Sequence, residues 1–517
     1  MENAMKAKLP PGRRAWERLR RGVALGLRAN AGGPRRGPDT RTRRQGPSNL
    51  VSIFRRLSPA RPEDRGTMRE LAVLAWPITV AMLGETALGL SDTWLVGALG
   101  PAALGGVGVA TILLFLGYAL IFGMMRGVKV RAAYAVGQGR PHDAVRYAEA
   151  GTVIGAVAGI ALFAVSRDVS GVLHTLGVDP SMIPYARDFV AARTYGAIGT
   201  CATAALINYL QGMGDSRTPM MVGVGGNVIN VALAYSLIHG KLGLPALGVR
   251  GAGYATATTE ILELAALAWL VWRWAARAPK PAIGRRAALG EVITLGLPTG
   301  VHFVLEGAAF TAFTTILGGM RPEEMAAHQI ALNVIRASFL PGVAVSEAAT
   351  VLVARSLGEG KLAGADRVTR SALILGVGFM SACGVVFALA GRSIAAVFTG
   401  DATVIGIAGR LLLVAAIFQA LDAVNVVLRG ALRGAKDVRW VMIAGTTIAW
   451  IAIPGSAYLL GRVMGLGALG GWIGFIVETT VASLLFWRRW SRGAWRAAYG
   501  EPVEHATRLH GAGAITP

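Results

Sequence analysis

The feature that most constrains this chain is an apolar segment that carries carboxylates and occurs twice. The first copy runs from Leu74 to Gly97 and reads LAWPITVAMLGETALGLSDTWLVG. It is long enough to cross a bilayer, because about 20 residues rising roughly 1.5 Å each span the hydrocarbon. The second copy begins 221 residues later, at Leu295, and reads LGLPTGVHFVLEGAAFTAFTTILGG. Two halves built around equivalent helices are therefore predicted.

Both copies place an acid at membrane depth. Glu85 lies in the middle of the first copy, and Asp92 follows two turns later on nearly the same face. A carboxylate there costs about 2.5 kcal/mol or more on insertion scales, so it normally faces an internal cavity. Pro77 and Glu85 recur in the second copy as Pro298 and Glu306.

The remaining apolar segments predict an all-α membrane protein with twelve transmembrane helices. The chain is 53% hydrophobic and 16% charged with a mean hydropathy of +0.51, whereas soluble domains hold roughly 25% charged residues. Helices are expected because backbone groups in lipid must bond within their own segment. The predicted spans are 70–98, 104–137, 144–166, 183–212, 217–239, 247–274, 288–318, 324–357, 364–390, 403–432, 438–460 and 466–490.

The repeat keeps its phase beyond the opening pair. AVGQG around Gly137 matches SLGEG around Gly358, and LQGMGDSRT from Leu210 matches LRGAKDVRW from Leu432. Six spans separate the copies, so the halves share one orientation and a pseudo-twofold axis along the membrane normal. The loops on one side carry about 16 Lys and Arg against about 6 on the other, which predicts that both termini are cytoplasmic.

These observations predict a domain plan. Its parts are a basic, mostly disordered cytoplasmic arm (1–67), an N-lobe of six helices (68–276), a cytoplasmic linker (277–287), a C-lobe of six helices (288–492) and a cytoplasmic tail (493–517). The net charge of +23 would suggest a nucleic-acid partner in a soluble protein. The arm alone holds 17 Lys and Arg against 5 Asp and Glu, so we expect contact with the bilayer and no nucleic-acid partner.

The acids within the spans are the candidate functional groups. Glu306 and Asp422 lie near the middle of spans seven and ten with no adjacent basic residue in the sequence, so each can hold a proton or Na⁺ and release it. Asp92 has a similar position, and Glu85 is a further possibility. His302 lies one turn before Glu306 and can couple to its protonation.

Other polar residues within the spans have alternatives. Asn227 and Asn230 share one face of span five, where they either coordinate an ion with Asp92 or bond helix to helix. The remaining span acids read more readily as hydrogen-bonded structural groups: Glu260, Glu263, Glu347 and Glu478. Three basic residues late in span two are expected to extend to the lipid headgroups: Arg126, Lys129 and Arg131.

Over residues 68–492 the chain resembles the multidrug and toxic compound extrusion (MATE) family, and its NorM-like branch in particular. The motifs that carry the resemblance are WPITVAMLGETALGLSDTWLVG, YLQGMGDSRTPMM, GLPTGVHFVLEGA, MAAHQIALNVI and FQALDAVNVVLRGALRGAKD. The resemblance implies two six-helix lobes around an alternating-access cavity. It also implies antiport of organic cations against H⁺ or Na⁺, with no other cofactor.

The resemblance also assigns roles to individual residues. Asp92 stands where the family has the first-helix acid of the N-lobe ion site, and Asn230 matches the fifth-helix Asn linked to it. Glu306 and Asp422 match the C-lobe coupling acids, and Gln329 matches a Gln that lines the C-lobe cavity. Two positions depart from the family pattern and leave the identity of the ion open, and the first of them, Ala234, shifts the weight toward Glu306 and Asp422. Ala234 replaces a second polar residue of the N-lobe site, and Glu85 adds an acid at a position that is commonly neutral.

The sequence therefore predicts a monomeric multidrug antiporter of the inner membrane that exchanges lipophilic organic cations and other drugs for H⁺ or Na⁺. One rival is a lipid-linked oligosaccharide or other amphiphile flippase, which would need a cavity rich in Arg and Lys for pyrophosphate. Another is an intramembrane enzyme, which is disfavoured because no nucleophile–base pair converges at one depth. The sequence holds no GxxxxGK[ST], HExxH or GxSxG motif.

Overall fold

The computed structural model describes residues 62–499. Over this part of the chain, twelve helices are long and apolar enough to span a membrane. They are α1 (Pro62–Gly97), α2 (Pro101–Gly137), α3 (Ala144–Thr175), α4 (Ile183–Met213), α5 (Arg217–His239), α6 (Val249–Ala275), α7 (Arg285–Gly318), α8 (Pro322–Gly358), α9 (Leu362–Ala396), α10 (Ala402–Gly434), α11 (Val438–Val463) and α12 (Gly467–Ser491). The number and order of the predicted spans are confirmed.

The packing of these helices repeats after six. In the first half, α1 packs on α5, α2 on α4, α3 on α4, and α5 on α6. In the second half, α7 packs on α11, α8 on α10, α9 on α10, and α11 on α12. Each pair in one half thus has its counterpart in the other, as two pseudo-symmetric six-helix lobes require. The predicted arm up to residue 61 and the tail from residue 500 lie outside the described residues.

Short irregular turns interrupt three of the helices. One is a 3₁₀ turn at Ser166–Asp168 in α3, and the other two lie near polar residues. A 3₁₀ turn at Thr194–Gly196 divides α4 directly after Arg193, and the end of α11 is a π-helical segment, Ala457–Val463. Such segments often mark functional positions within helices. In α4 the turn lies next to a partly buried arginine, Arg193, that is described below.

The two lobes meet along a seam of glycines on α2. A Cβ placed on Gly123 would lie 2.6 Å from the Gly300 Cα, and one on Gly137 would lie 3.0 Å from the Gly358 Cα. Without a hydrophobic drive in lipid, helices associate by such close approach of small residues. Gly137 and Gly358 are equivalent in the repeat, and a residue contacts its own equivalent only beside the pseudo-twofold axis.

The seam occupies one half of α2. Its glycines lie between the middle of that helix and its end at Gly137, where α2 packs against α7 and α8. In the other half, Gly105 and Gly106 face Met182 of their own lobe. The lobes are therefore held together at the end of the bundle where α2 ends, which the predicted topology places in the cytoplasm.

Enlarging a seam glycine is expected to open this end. Gly123→Val would force a side chain into the Gly300 backbone, and overpacking of this kind costs about 1–3 kcal/mol. Spin labels at Gln138 and Glu359, both exposed, should then show a longer distance than in the parent protein. Gly108→Val is the matched control, because Gly108 lies on the same helix with no atom within 4 Å of a new Cβ. Equal distances in the two variants would show that the seam does not hold the lobes.

Candidate functional site

A buried polar group in the C-lobe joins α7, α10 and α12. Arg429 on α10 is its centre: Nη1 donates to Glu306 Oε1 at 2.6 Å, and Nη2 donates to Asn425 Oδ1 at 3.2 Å. The Glu478 Oε1 lies 3.9 Å from Arg429 Nη2 and accepts from Asn425 Nδ2 at 3.3 Å. Asp422, one turn before Asn425, is also attracted by Arg429. We call these five residues the C-lobe cluster.

His302 extends the C-lobe cluster along α7. Its Nε2 lies 3.6 Å from Glu306 Oε2, and its Nδ1 lies 3.1 Å from the Thr446 hydroxyl on α11. The predicted shared face of His302 and Glu306 is confirmed. The imidazole is buried, and its Nε2 also lies 3.5 Å from Arg429 Nη1. The face of α7 that carries His302 and Glu306 is therefore turned toward α10.

The C-lobe cluster contains more acid than base. The cluster has three carboxylates and one guanidinium. A neutral imidazole at His302 adds no positive charge. The Glu306 side chain is 24% exposed, whereas Asp422 and Glu478 are buried. Glu306 is therefore the most exposed of the three acids.

Glu306 has no adjacent basic residue in the sequence, but the fold supplies one from another helix. Arg429 neutralises it from α10, and the pairing depends on the contact between α7 and α10. The sequence did hold a signal, because Arg429 follows Asp422 by two turns on one helix face. Glu306 and Asp422 themselves are brought together, since both interact with Arg429.

The N-lobe holds a different arrangement. Arg193 on α4 binds both oxygens of Glu260 on α6, with Nη1 to Oε2 at 2.6 Å, and Thr200 donates to the same carboxylate. A bidentate pair with a third donor satisfies most of the acceptor capacity of a carboxylate. The structural role expected for Glu260 stays a prediction, and these contacts are consistent with it.

The other predicted N-lobe residues are less well satisfied. Asn230 is fully buried, and within the described residues neither of its amide atoms has a hydrogen-bond partner. Asp92 Oδ1 is likewise buried without a partner, so these two residues are not hydrogen-bonded to each other. Glu85 is exposed and feels the negative charge of Glu260. An ion shared by Asp92 and Asn230 stays a prediction.

Three further positions bear on the predicted sites. Asn227 lies where α5 meets α1, with its Nδ2 3.0 Å from the place of a Gly84 Cβ. Ala234 is buried in the apolar core of the N-lobe. Gln329 is exposed on α8 next to His328, which is buried and accepts from the Trp472 indole at 3.1 Å. The assignment of Gln329 to a cavity stays a prediction.

A third charged group lies between the lobes. Glu347 on α8 accepts from Lys129 Nζ at 2.7 Å, and its other oxygen lies 3.2 Å from Arg126 and 3.5 Å from Arg433. Lys129 is only 3% exposed, so the expectation that Arg126 and Lys129 extend to headgroups is wrong. We call these four residues the interlobe cluster.

Neighbouring contacts tie the same end of the bundle. Arg131, also expected at the headgroups, lies 3.3 Å from Glu291 on α7, which accepts from the Tyr147 hydroxyl at 2.6 Å. Lys436, in the turn after α10, lies over the Tyr134 ring of α2, and burial together with nearby Arg131 lowers the pKa of Lys436 to about 8. Opening this end therefore requires the separation of several charged pairs as well as the glycine seam.

No set of three or more His, Cys, Asp or Glu side chains among residues 62–499 has an arrangement that could hold a metal ion. The polar groups that are present are acid–base clusters within each lobe and across their interface. Twelve spanning helices in two repeated lobes, with carboxylates within the spans of each, define a two-lobed membrane transporter.

The chain belongs to the MatE family, whose model matches residues 77–236 and 298–457. The two matched segments are offset by the same distance as the predicted repeat. The chain is thus a transporter and a multi-pass protein of the inner membrane, as the sequence predicted.

Relatives and solved structures agree over most of the chain. Multidrug resistance protein NorM of Burkholderia vietnamiensis is 32% identical over 435 residues, covering 81% of this chain and 93% of that protein. Multidrug resistance protein PmpM of Pseudomonas aeruginosa is 29% identical over 462 residues, covering 85% and 95%. The crystal structure of MATE in complex with MaL6 superposes with a TM-score of 0.76 at 19% identity, covering 84% of this chain and 98% of that one. The eukaryotic MATE transporter AtDTX14 superposes at 0.73 with 18% identity, covering 84% and 99%.

The interlobe cluster predicts an asymmetry between two single substitutions. Glu347→Gln leaves the buried Lys129 and Arg433 and the partly buried Arg126 without their counter-charge, and an uncompensated buried charge costs about 3–5 kcal/mol. Lys129→Met leaves Glu347 still facing Arg126 and Arg433. We therefore expect Glu347→Gln to lengthen the Gln138–Glu359 spin-label distance and to lower thermal stability more than Lys129→Met does.

The control for this comparison is Glu359→Gln, read by thermal stability. Glu359 pairs with Lys361 at 2.8 Å on the exposed surface, where ion pairs contribute about 0–1 kcal/mol. Little change is expected there. A larger effect from Lys129→Met than from Glu347→Gln would contradict the charge balance described here.

Proposed function

We propose that this chain is a secondary multidrug efflux antiporter that exports lipophilic organic cations in exchange for H⁺ or Na⁺. The observation that carries the proposal is the excess of negative charge in the C-lobe cluster. Three acids share the single Arg429, and one of them, Glu306, is partly exposed. The multidrug resistance names of relatives that cover most of the chain support the same activity.

The geometry suggests how a cation is exchanged. Arg429 donates a hydrogen bond to Glu306 at 2.6 Å in this structure. An incoming drug cation must therefore weaken that pair or bind the other acids of the cluster, Asp422 and Glu478. The coupling ion competes for the same carboxylates. The carboxylates can hold the drug cation or the coupling ion but not both, because an unbalanced charge is costly in a low-dielectric interior.

Exchange across the membrane requires a second state of the lobes. The interlobe cluster and the glycine seam hold one end closed, and on the predicted topology that end is cytoplasmic. A ligand moves such an equilibrium only through its differential affinity for the two states. We propose that occupation of the acids supplies this difference. Because one chain contains both lobes, a monomer suffices.

The flippase alternative is disfavoured by the pairing of the cations within each lobe. Arg429 is engaged by Glu306, and Arg193 is engaged by Glu260. Within residues 62–499, each of these two arginines is therefore committed to an acid. The surplus of base lies between the lobes instead, at the closed end, where Arg126, Lys129 and Arg433 all face Glu347. Asp92 and Asn230 remain in this proposal as a second cation site, in the N-lobe.

Loss of the Glu306 charge should uncouple transport. In vesicles with an imposed Na⁺ or H⁺ gradient, we expect Glu306→Gln to reduce gradient-driven efflux of a cationic dye by about tenfold or more, as for the loss of a charged hydrogen-bond partner. Glu306→Asp keeps the charge and should retain gradient dependence. Size-exclusion profiles of both variants report whether they fold.

Glu359→Gln provides a matched control, because it removes an acid outside the C-lobe cluster and should transport like the parent. Equal acceleration by parent and Glu306→Gln under either gradient would show that the site is misassigned. A parent protein indifferent to both gradients would refute antiport itself.

A further inference from the structure

We propose that the interlobe cluster binds a small inorganic anion, of the size and charge of chloride, when the lobes are closed. The site lies between α2 of the N-lobe and α8 and α10 of the C-lobe. The inference goes beyond the proposed antiport and does not depend on it, because it concerns what fills the closed end of the bundle.

The first argument is the balance of charge in the interlobe cluster. Three bases, Arg126, Lys129 and Arg433, face one acid, Glu347. Lys129 Nζ donates to Glu347 Oε2 at 2.7 Å, and this pair alone balances the acid. The two guanidinium groups then carry an excess of positive charge. Because uncompensated charge between packed helices is costly, an anion is favoured there.

The nearest other acids do not offset this excess, because they are engaged elsewhere. One turn before Arg433 on α10, Arg429 donates to Glu306 at 2.6 Å. Toward the end of α2, Arg131 lies 3.3 Å from Glu291 on α7. Each of these acids already has a base of its own.

The second argument is that Arg433 has donors without acceptors. Its side chain is only 9% exposed, and within residues 62–499 its Nε and Nη1 have no hydrogen-bond partner. Nη1 lies 3.5 Å from Glu347 Oε1, and no hydrogen bond forms between them. Glu347 Oε1 also makes no hydrogen bond, although it lies 3.2 Å from Arg126 Nη2. A guanidinium can only donate, so the missing partner is an acceptor, and an anion is the acceptor that also offsets the charge.

A cavity lies beside these donors and limits the size of the occupant. Its volume of about 10 Å³ is close to that of a single water-sized sphere. Its charged walls are Arg126, Arg433 and Glu347. The hydroxyls of Thr299 and Thr350 also line it, and both donate to backbone carbonyls. A phosphate group is several times larger, whereas chloride is only slightly larger than water. The size of the cavity therefore favours a monatomic anion over a phosphate or pyrophosphate.

The internal repeat shows that packing alone does not require a charge at Arg433. A Cβ on Gly212 would lie 2.6 Å from a carbonyl oxygen of α2, and one on Gly434 would lie 2.6 Å from a carbonyl oxygen of α8. These equivalent contacts agree with the alignment of LQGMGDSRT and LRGAKDVRW, which pairs Gln211 with Arg433. Gln211 is buried, so the fold accepts a neutral side chain at this position in one lobe.

The position of the site between the lobes makes its affinity depend on their state. Arg126 belongs to the N-lobe, whereas Arg433 and Glu347 belong to the C-lobe. An anion held by both arginines bridges the lobes, and opening of this end separates its ligands. Since a ligand stabilises the state that binds it better, the anion favours the closed end.

The test measures the thermal stability of the purified full chain while chloride replaces gluconate at constant sodium concentration and ionic strength. We expect the melting temperature to rise with chloride and to saturate, because the folded, closed state binds the anion. Bromide should act in the same way. Arg433→Gln, which introduces the side chain found at the equivalent N-lobe position, should raise the chloride midpoint by about tenfold or more or abolish the response.

A second variant should change the response in the opposite direction. Glu347→Gln removes the carboxylate beside the anion, so its chloride midpoint should fall below that of the parent even though the variant is less stable in gluconate. Lys361→Gln is the matched control. It removes a cation that is 49% exposed at the same end of the bundle, and it should respond to chloride as the parent does.

Several outcomes would overturn the proposal. Equal melting temperatures of the parent in chloride and gluconate would leave water as the occupant, and an unchanged chloride response in Arg433→Gln would identify a general salt effect. If that variant does not fold, Arg433→Lys keeps the charge but loses the Nε donor, and a parental midpoint there would contradict the site. Stabilisation by phosphate or phosphatidylglycerol but not by chloride would refute a monatomic anion. None of these measurements involves transport, so their failure would leave the proposed antiport untouched.

Discussion

The pair formed by Arg429 and Glu306 is the interaction on which the C-lobe depends. The hydrocarbon of a bilayer does not solvate charge, so every ionised group in these spans needs a partner of opposite charge or a water-filled cavity. By binding Glu306, Arg429 fixes α7 against α10 and orients His302 on the same face. The pairing also leaves Asp422 and Glu478 without a full counter-charge. A structural ion pair and a potential cation site thus arise from the same shortage of base.

The two lobes show how a duplicated fold separates stability from function. In the N-lobe, Arg193 and Thr200 both donate to Glu260, so the hydrogen-bonding capacity of this carboxylate is largely satisfied. The LQGMGDSRT and LRGAKDVRW segments align Asp422 of the C-lobe with Thr200 of the N-lobe, so one position carries a hydroxyl in one lobe and a carboxylate in the other. The helix packing stays the same in both lobes while the chemistry differs.

The α10 helix connects the C-lobe cluster to the seam between the lobes. Arg429 and Arg433 lie one turn apart on it, and they face Glu306 and Glu347 respectively. Lys129 of the other lobe contacts Glu347 as well. A change in charge at Glu306 therefore lies one helical turn from the contacts that close the lobes. This arrangement gives a short physical route from ion binding to lobe movement.

The sequence by itself determined the twelve spans, the repeat and the acids, because apolar length and a fixed offset are local properties that survive any packing. Helix position placed Glu306 and Asp422 each near the middle of its span, and the family resemblance assigned both to one site. Only the tertiary structure decided which acids are neutralised. Arg429 reaches Glu306 from another helix, and Lys129 and Arg126 turn inward to Glu347 instead of outward to headgroups, because the side of a helix that faces a neighbour depends on the packing of all twelve.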